Sequence, residues 1–69
     1  MTDITIIRKL HYATIQDART MLDRLTTEDV KILYVEACDM KKIYPVGYNR
    51  LDAELNFRTN KQIEEGFSR

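Results

Sequence analysis

The chain lacks most of the residues that stabilise very small domains by covalent or metal cross-links. Its 69 residues include no tryptophan, one cysteine, one histidine, one proline and two glycines. A single cysteine excludes an internal disulfide, and one cysteine with one histidine is too few for a structural zinc site. The core of so small a domain supplies only about 3–5 kcal/mol of stability. We therefore expect one domain over residues 1–69, further stabilised by association with another protein or with a copy of itself.

The sequence also lacks an excess of charge of either sign and any long apolar run. Eleven basic and eleven acidic residues give a net charge of zero, whereas non-specific nucleic-acid binders carry a basic excess. The longest apolar run, residues 32–35, is far shorter than the roughly 20 residues needed to cross a bilayer. No signal peptide is recognisable, and a lone free thiol suits a reducing compartment. We expect a cytoplasmic protein that contacts no membrane and does not bind nucleic acid directly.

Motifs of catalysis and cofactor binding are missing as well. The sequence contains no HExxH, GxSxG, CxxC or glycine-rich phosphate loop. His11 has no serine or cysteine beside it in sequence, which favours a structural role. Cys38 lies in an apolar segment and is expected to pack in the core, although Lys41 and Lys42 nearby leave a reactive thiol as the alternative. We predict a non-enzymatic protein without a catalytic, cofactor or metal site.

What the sequence does contain is a series of helix-start signals. Four threonine or asparagine residues are followed three positions later by a residue that can complete a capping box. These pairs are Thr14 with Asp17, Thr26 with Asp29, Asn49 with Asp52, and Thr59 with Gln62. They precede apolar residues at helical spacing, so the pattern predicts an all-α protein.

The clearest helix is predicted at residues 15–25. Its apolar residues recur at steps of three and four and form one face, as expected of an amphipathic helix; they are Ile15, Ala18, Met21, Leu22 and Leu25. Arg19 and Asp23 lie four residues apart on the polar side, where an ion pair adds about 0.3 kcal/mol.

The segment that follows allows two interpretations, a buried strand at residues 30–37 or a helix at residues 27–44. Val30, Leu33, Ala37, Met40 and Tyr44 form a helical stripe, in which Leu33 and Ala37 are predicted to be core residues. A strand here would need burial on both faces, which a chain this short cannot provide. Acidic residues at its start and lysines near its end suit the helix dipole, and Pro45 would end it. We predict a central helix at residues 27–44, whose additional apolar residues are either wrapped by neighbouring helices or kept for a partner.

The two ends of the chain are less regular. Residues 3–10 are either a helix capped by Thr2 or Asp3, or an edge strand; without a second strand to pair with, helix is favoured. Residues 45–49 are predicted to form a turn, followed by a short helix from Asn49 that contains Leu51, Leu55 and Phe57. Gly66 would end a last short helix, or residues 66–69 would fray. The result is a small single-domain bundle of three to five short helices.

Two functions remain open from these residues. The first is a small regulator or inhibitor that binds another protein through exposed apolar and aromatic residues around Pro45, namely Tyr34, Ile43, Tyr44, Val46 and Tyr48. The alternative is a nucleic-acid-binding transcriptional regulator that uses the basic residues of the second half, namely Lys41, Lys42, Arg50, Arg58 and Lys61. Interleaved acidic residues, and Glu28 and Asp29 at the start of a would-be recognition helix, count against the alternative.

The order TIQDARTMLDR followed by LTTEDVKILYVEA loosely resembles the middle of the Hha/YmoA family of small helical bacterial modulators. The likeness covers about half the chain and includes Thr14, Ile15, Leu25, Tyr34 and Ala37. It implies a regulator that docks onto a transcription or nucleoid complex rather than reading DNA strongly itself. The charged segment that follows in that family is replaced here by CDMKKIYPVGYN.

Overall fold

The computed structural model describes the backbone of residues 4–67 and the side chains of residues 4–60. Over this range the chain forms four α-helices, namely α1 (Thr5–Tyr12), α2 (Ile15–Arg24), α3 (Thr27–Met40) and α4 (Pro45–Phe67). The predicted all-α bundle is confirmed, and both strand interpretations are wrong for the part of the chain that is described.

Two of the four predicted capping signals are confirmed. The hydroxyl oxygen of Thr14 accepts a hydrogen bond from the amide of Asp17 at 3.1 Å, and that of Thr26 accepts one from Asp29 at 3.1 Å. The signals at Asn49 and Thr59 are wrong, since both residues lie inside α4. The first helix begins after Ile4 without a side-chain cap, while Thr2 and Asp3 lie outside the described residues.

The junction between α3 and α4 differs from the predicted helix 27–44 and turn 45–49. Helix α3 ends at Met40, whose carbonyl accepts hydrogen bonds from the amides of Ile43 and Tyr44, at 2.9 and 2.7 Å. Pro45 then occupies the first position of α4, where its missing N–H needs no partner. The carbonyl of Tyr44 accepts from the amide of Tyr48 at 3.0 Å, the first bond of α4. Pro45 therefore begins a helix, and the short helix predicted from Asn49 is part of a longer one.

The structural centre of the bundle is α4 rather than α3. Helix α4 has 23 residues, about 34 Å of length, and it packs against α1, α2 and α3. It continues through Gly66 to Phe67, so this glycine does not end it. Residues 68 and 69, where fraying was also predicted, lie outside the described part of the chain.

The core is formed by one buried cluster to which all four helices contribute, namely Ile7, Leu10, Ala18, Leu22, Val30, Leu33, Ala37 and Leu51. The predicted burial of Leu33 and Ala37 is confirmed. Gly47 is buried where α4 crosses α1, and a Cβ atom at this position would lie 2.5 Å from the carbonyl oxygen of Ile7. A larger residue there would force the two helices apart, so the glycine is required by a close backbone approach.

Candidate protein-binding surfaces

Helix α3 carries apolar residues on two faces but buries only one of them. Val30, Leu33 and Ala37 are fully buried, whereas Ile32 and Val35 are 42% and 63% exposed. Because Ile32 and Val35 lie three residues apart, they are neighbours on the helix surface. We call this surface the α3 outer face. It accounts for the excess of apolar residues in this segment of the sequence.

Beside this face, two of the predicted partner-binding tyrosines contact each other. The rings of Tyr34 and Tyr48 stack with their centroids 5.7 Å apart, and the ammonium of Lys41 lies 5.9 Å from the centre of the Tyr48 ring. A hydrogen bond between the two tyrosine side chains favours the neutral phenol and, with the charge of Tyr48 and smaller effects, raises the pKa of Tyr34 to about 12. The stack joins α3 to α4.

Tyr44 belongs to a different aromatic cluster. Its ring lies 5.4 Å from that of His11 and 6.4 Å from that of Tyr12, and the rings of His11 and Tyr12 are 4.7 Å apart. The Nδ1 atom of His11 is buried and has no hydrogen-bond partner among the described atoms. These edge-to-face contacts pack His11 of α1 against Tyr44, the residue just before α4.

The five predicted partner-binding residues therefore do not form one continuous surface. Tyr34 and Tyr48 are brought together, whereas Tyr44 contacts His11 and Tyr12 instead. Val46 and Tyr48 lie two residues apart on α4 and so point about 160° apart, toward nearly opposite sides of the helix. Ile43 and Val46 are 65% and 40% exposed.

Two of the basic residues considered for nucleic-acid contact donate hydrogen bonds within the protein. One guanidinium nitrogen of Arg50 donates to the carbonyl oxygens of Leu10 and Ala13, the latter at 2.7 Å, at the C-terminal end of α1. Arg58 does the same for α2, donating to the carbonyls of Leu22 at 3.0 Å and Leu25 at 2.9 Å. Lys41 and Lys42 are exposed, and the side chain of Lys61 lies outside the described residues.

A buried carboxylate on α4, that of Glu54, links Arg58 to Arg19 of α2. Glu54, whose side chain is 4% exposed, accepts from Arg58 and from Arg19, each at 2.7 Å. Arg19 also forms the predicted ion pair with Asp23, at 2.6 Å, and both acidic partners raise its pKa. Sequence reasoning missed Glu54. The available signal was the spacing of Arg50, Glu54 and Arg58, four residues apart on one face of a helix.

A groove between α2 and α4 was also missed. It encloses a cavity of about 260 Å³, lined by Ile15, Ala18, Leu22, Ala53 and Phe57 together with Arg19, Arg50 and Glu54. Ile15 and Phe57 are 82% and 61% exposed at this groove, although Ile15 was predicted on the inner face of its helix. The lining of the groove thus combines apolar side chains with three charged ones.

Among the described side chains, no group of three or more histidine, cysteine, aspartate or glutamate residues is placed to hold a metal ion. Cys38 is half-buried, less enclosed than its predicted core position. No helix in the described part of the chain has both the length and the hydropathy needed to cross a membrane.

Comparison with known proteins finds no matching family model, no significant match among curated proteins and none among solved structures. The resemblance to the Hha/YmoA family rests on the residues quoted above alone.

Proposed function

We propose that this protein is a small, non-enzymatic regulator that acts in the cytoplasm by binding another protein. The observation that carries the proposal is the α3 outer face, where Val35 is 63% exposed on the side of the helix opposite the core. Ile43, which is 65% exposed in the turn after α3, extends the apolar surface toward α4.

The surroundings of Val35 have the composition of an interface. Lys31, Glu36 and Asp39 are exposed on the same helix and would form a polar rim around an apolar centre. Complete burial of an aliphatic side chain contributes about 1.5–3 kcal/mol. The adjacent stack of Tyr34 on Tyr48 offers a rigid aromatic anchor, a type of residue enriched where binding energy concentrates.

The proposed partner is a component of a larger assembly, such as a transcription or nucleoid complex, whose activity is changed when this protein docks. A chain of 69 residues with no net charge has little electrostatic attraction to nucleic acid or membrane. It therefore depends on apolar contact for its affinity.

The proposal is tested by site-specific photo-crosslinking in cells of the native host. A photoreactive residue at position 35 should give one stoichiometric adduct, and the same residue at position 8, an exposed site on α1, should not. The substitution Val35→Glu should abolish capture of that partner, whereas Arg8→Glu should preserve it, with circular dichroism showing that both variants fold. Equal crosslinking from positions 35 and 8 would contradict the proposal.

The alternative, direct binding of nucleic acid, is less well supported because Arg50 and Arg58 use their guanidinium groups to bond the ends of α1 and α2. A gel-shift titration at low salt should show no binding below micromolar protein. Submicromolar binding that weakens steeply with added salt would favour the alternative, with Lys41 and Lys42 as the first residues to test.

A further inference from the structure

The exposed side of α4 is free of charge over the whole stretch whose side chains are described. Within residues 45–60, the exposed residues are Pro45, Val46, Asn49, Ala53, Asn56, Phe57, Thr59 and Asn60. The charged residues of the same stretch, Arg50, Asp52, Glu54 and Arg58, are buried or half-buried. This reverses the usual arrangement of a surface helix, in which charge faces solvent.

Most of these uncharged residues form a single stripe. Val46, Asn49, Ala53, Asn56 and Asn60 follow one another at steps of three and four, the spacing at which residues of one helix face a partner helix. We call them the α4 stripe, which is about 21 Å long. The other helices differ, since their exposed faces carry charged residues, among them Arg8 and Lys9, Asp17 and Arg24, and Glu28 and Glu36.

We propose that the α4 stripe binds a second copy of this chain in a two-fold symmetric dimer. In such a dimer, residues near the symmetry axis meet their own images in the other copy. A charged residue there would face a like charge, so an uncharged centre is the condition that self-association imposes. Asparagine carries both a donor and an acceptor in its side chain and can therefore pair with an asparagine of the second copy.

The groove between α2 and α4 adds shape complementarity to the same surface. Ala53 lies in the stripe and also lines the groove, beside the exposed ring of Phe57. The surface thus presents a protruding aromatic side chain next to a cavity of about 260 Å³. Because a two-fold dimer brings together two copies of one surface, the Phe57 ring of each copy can enter the groove of the other. Ala53, which has no bulk beyond Cβ, permits the close approach that this requires.

The test is the oligomeric state measured by sedimentation equilibrium over a range of protein concentrations. The wild-type chain should be a dimer. Ala53→Arg and Ala53→Glu each place a charge opposite its own image and should weaken dimerisation about 100-fold or more. Since Ala53 is exposed, circular dichroism should show that both variants keep the helical fold. Arg8→Glu, a charge change on α1, should leave the dimer intact.

Mixing the two variants distinguishes a second copy from any other occupant. An equimolar mixture of Ala53→Arg and Ala53→Glu should form a heterodimer, because arginine of one chain then meets glutamate of the other. A wild-type chain that stays monomeric at millimolar concentration would overturn the proposal. So would a dimer unaffected by either substitution, or a mixture of the variants that remains monomeric. The dimer uses α4 and not the α3 outer face, so its failure would leave the proposed function untouched.

Discussion

Removing the guanidinium of Arg58 should strongly destabilise the fold, because this group bonds three helices to one another. The side chain of Arg58 is 18% exposed and binds Glu54, the carbonyls of Leu22 and Leu25, and the hydroxyl of Thr27. It thereby fastens the end of α2 and the start of α3 to α4. The substitution Arg58→Ala would remove one donor from each of these groups while Glu54 stays buried.

The expected loss of unfolding free energy depends on the hydrogen-bond partners that Glu54 and the two carbonyls retain in Arg58→Ala. Breaking a buried ion pair by removing one member costs about 3–5 kcal/mol. Glu54 would retain Arg19, and the carbonyl of Leu22 would still accept from the amide of Leu25 at 3.1 Å. These two remaining contacts reduce the loss of unfolding free energy. The carbonyl of Leu25 loses the donor that Arg58 provides, which adds about 1–3 kcal/mol if water does not replace it. We expect a total of about 3–5 kcal/mol, against a global stability of about 3–10 kcal/mol for a chain of this length.

Urea unfolding followed by circular dichroism measures this loss. All variants should be compared at one protein concentration, because association adds to apparent stability. Arg58→Lys should lose about 1–3 kcal/mol, since one ammonium cannot bridge a carboxylate and two carbonyls as the planar guanidinium does. Arg24→Ala, an exposed arginine on α2, should change stability by less than about 0.5 kcal/mol. A loss below about 1 kcal/mol for Arg58→Ala would refute the reasoning.

Three further predictions concern the core, the helix crossing and the tyrosine pair. Leu33 is fully buried, so Leu33→Ala should lower the free energy of unfolding in urea by about 2–5 kcal/mol. An unchanged urea midpoint would mean that this face of α3 is not part of the core. Gly47→Ala should lower the free energy of unfolding by about 1–3 kcal/mol, because the new Cβ would lie 2.5 Å from the carbonyl oxygen of Ile7. Thr59→Ala in the same helix is the control. A Gly47→Ala variant more stable than the wild type would show that helix propensity outweighs this contact. Tyr34, observed by NMR, should titrate with a pKa of about 12 and shift toward 10.0 in Tyr48→Phe. Because folding raises the pKa of Tyr34, the stability that this shift contributes is fully present below about pH 10 and is lost as pH rises through about 12. An unchanged Tyr34 titration in Tyr48→Phe would exclude the contact with Tyr48 as the cause of the raised pKa.

The features that the sequence predicted correctly depend on neighbours within a few residues. The caps at Thr14 and Thr26 are formed between residues three apart, and the stripe containing Val30, Leu33 and Ala37 needs only the helical repeat. Helix α2 and the first part of α3 were accordingly predicted within a residue or two. Pro45 was recognised as a boundary, but a proline suits the first position of a helix as well as the position after one.

The parts that sequence reasoning missed are decided by contacts between residues far apart in the chain. In α4 the inner face carries the buried Gly47 and Glu54 and the half-buried Arg58 as well as Leu51, so it does not look apolar in sequence. Gly47 lies against Ile7 of α1, whereas Glu54 and Arg58 bond Arg19 and Leu22 of α2. The sequence also did not show which apolar residues stay exposed. Ile32, Val35 and Phe57 resemble core residues, and only the packing of the other helices leaves them at the surface. The sequence by itself determined that the chain is helical and where α2 and α3 begin, because these features depend on local hydrogen bonds and periodicity. Only the tertiary structure decided which helix faces pack together, because the burial of a side chain and the pairing of a charge depend on residues that are distant in sequence.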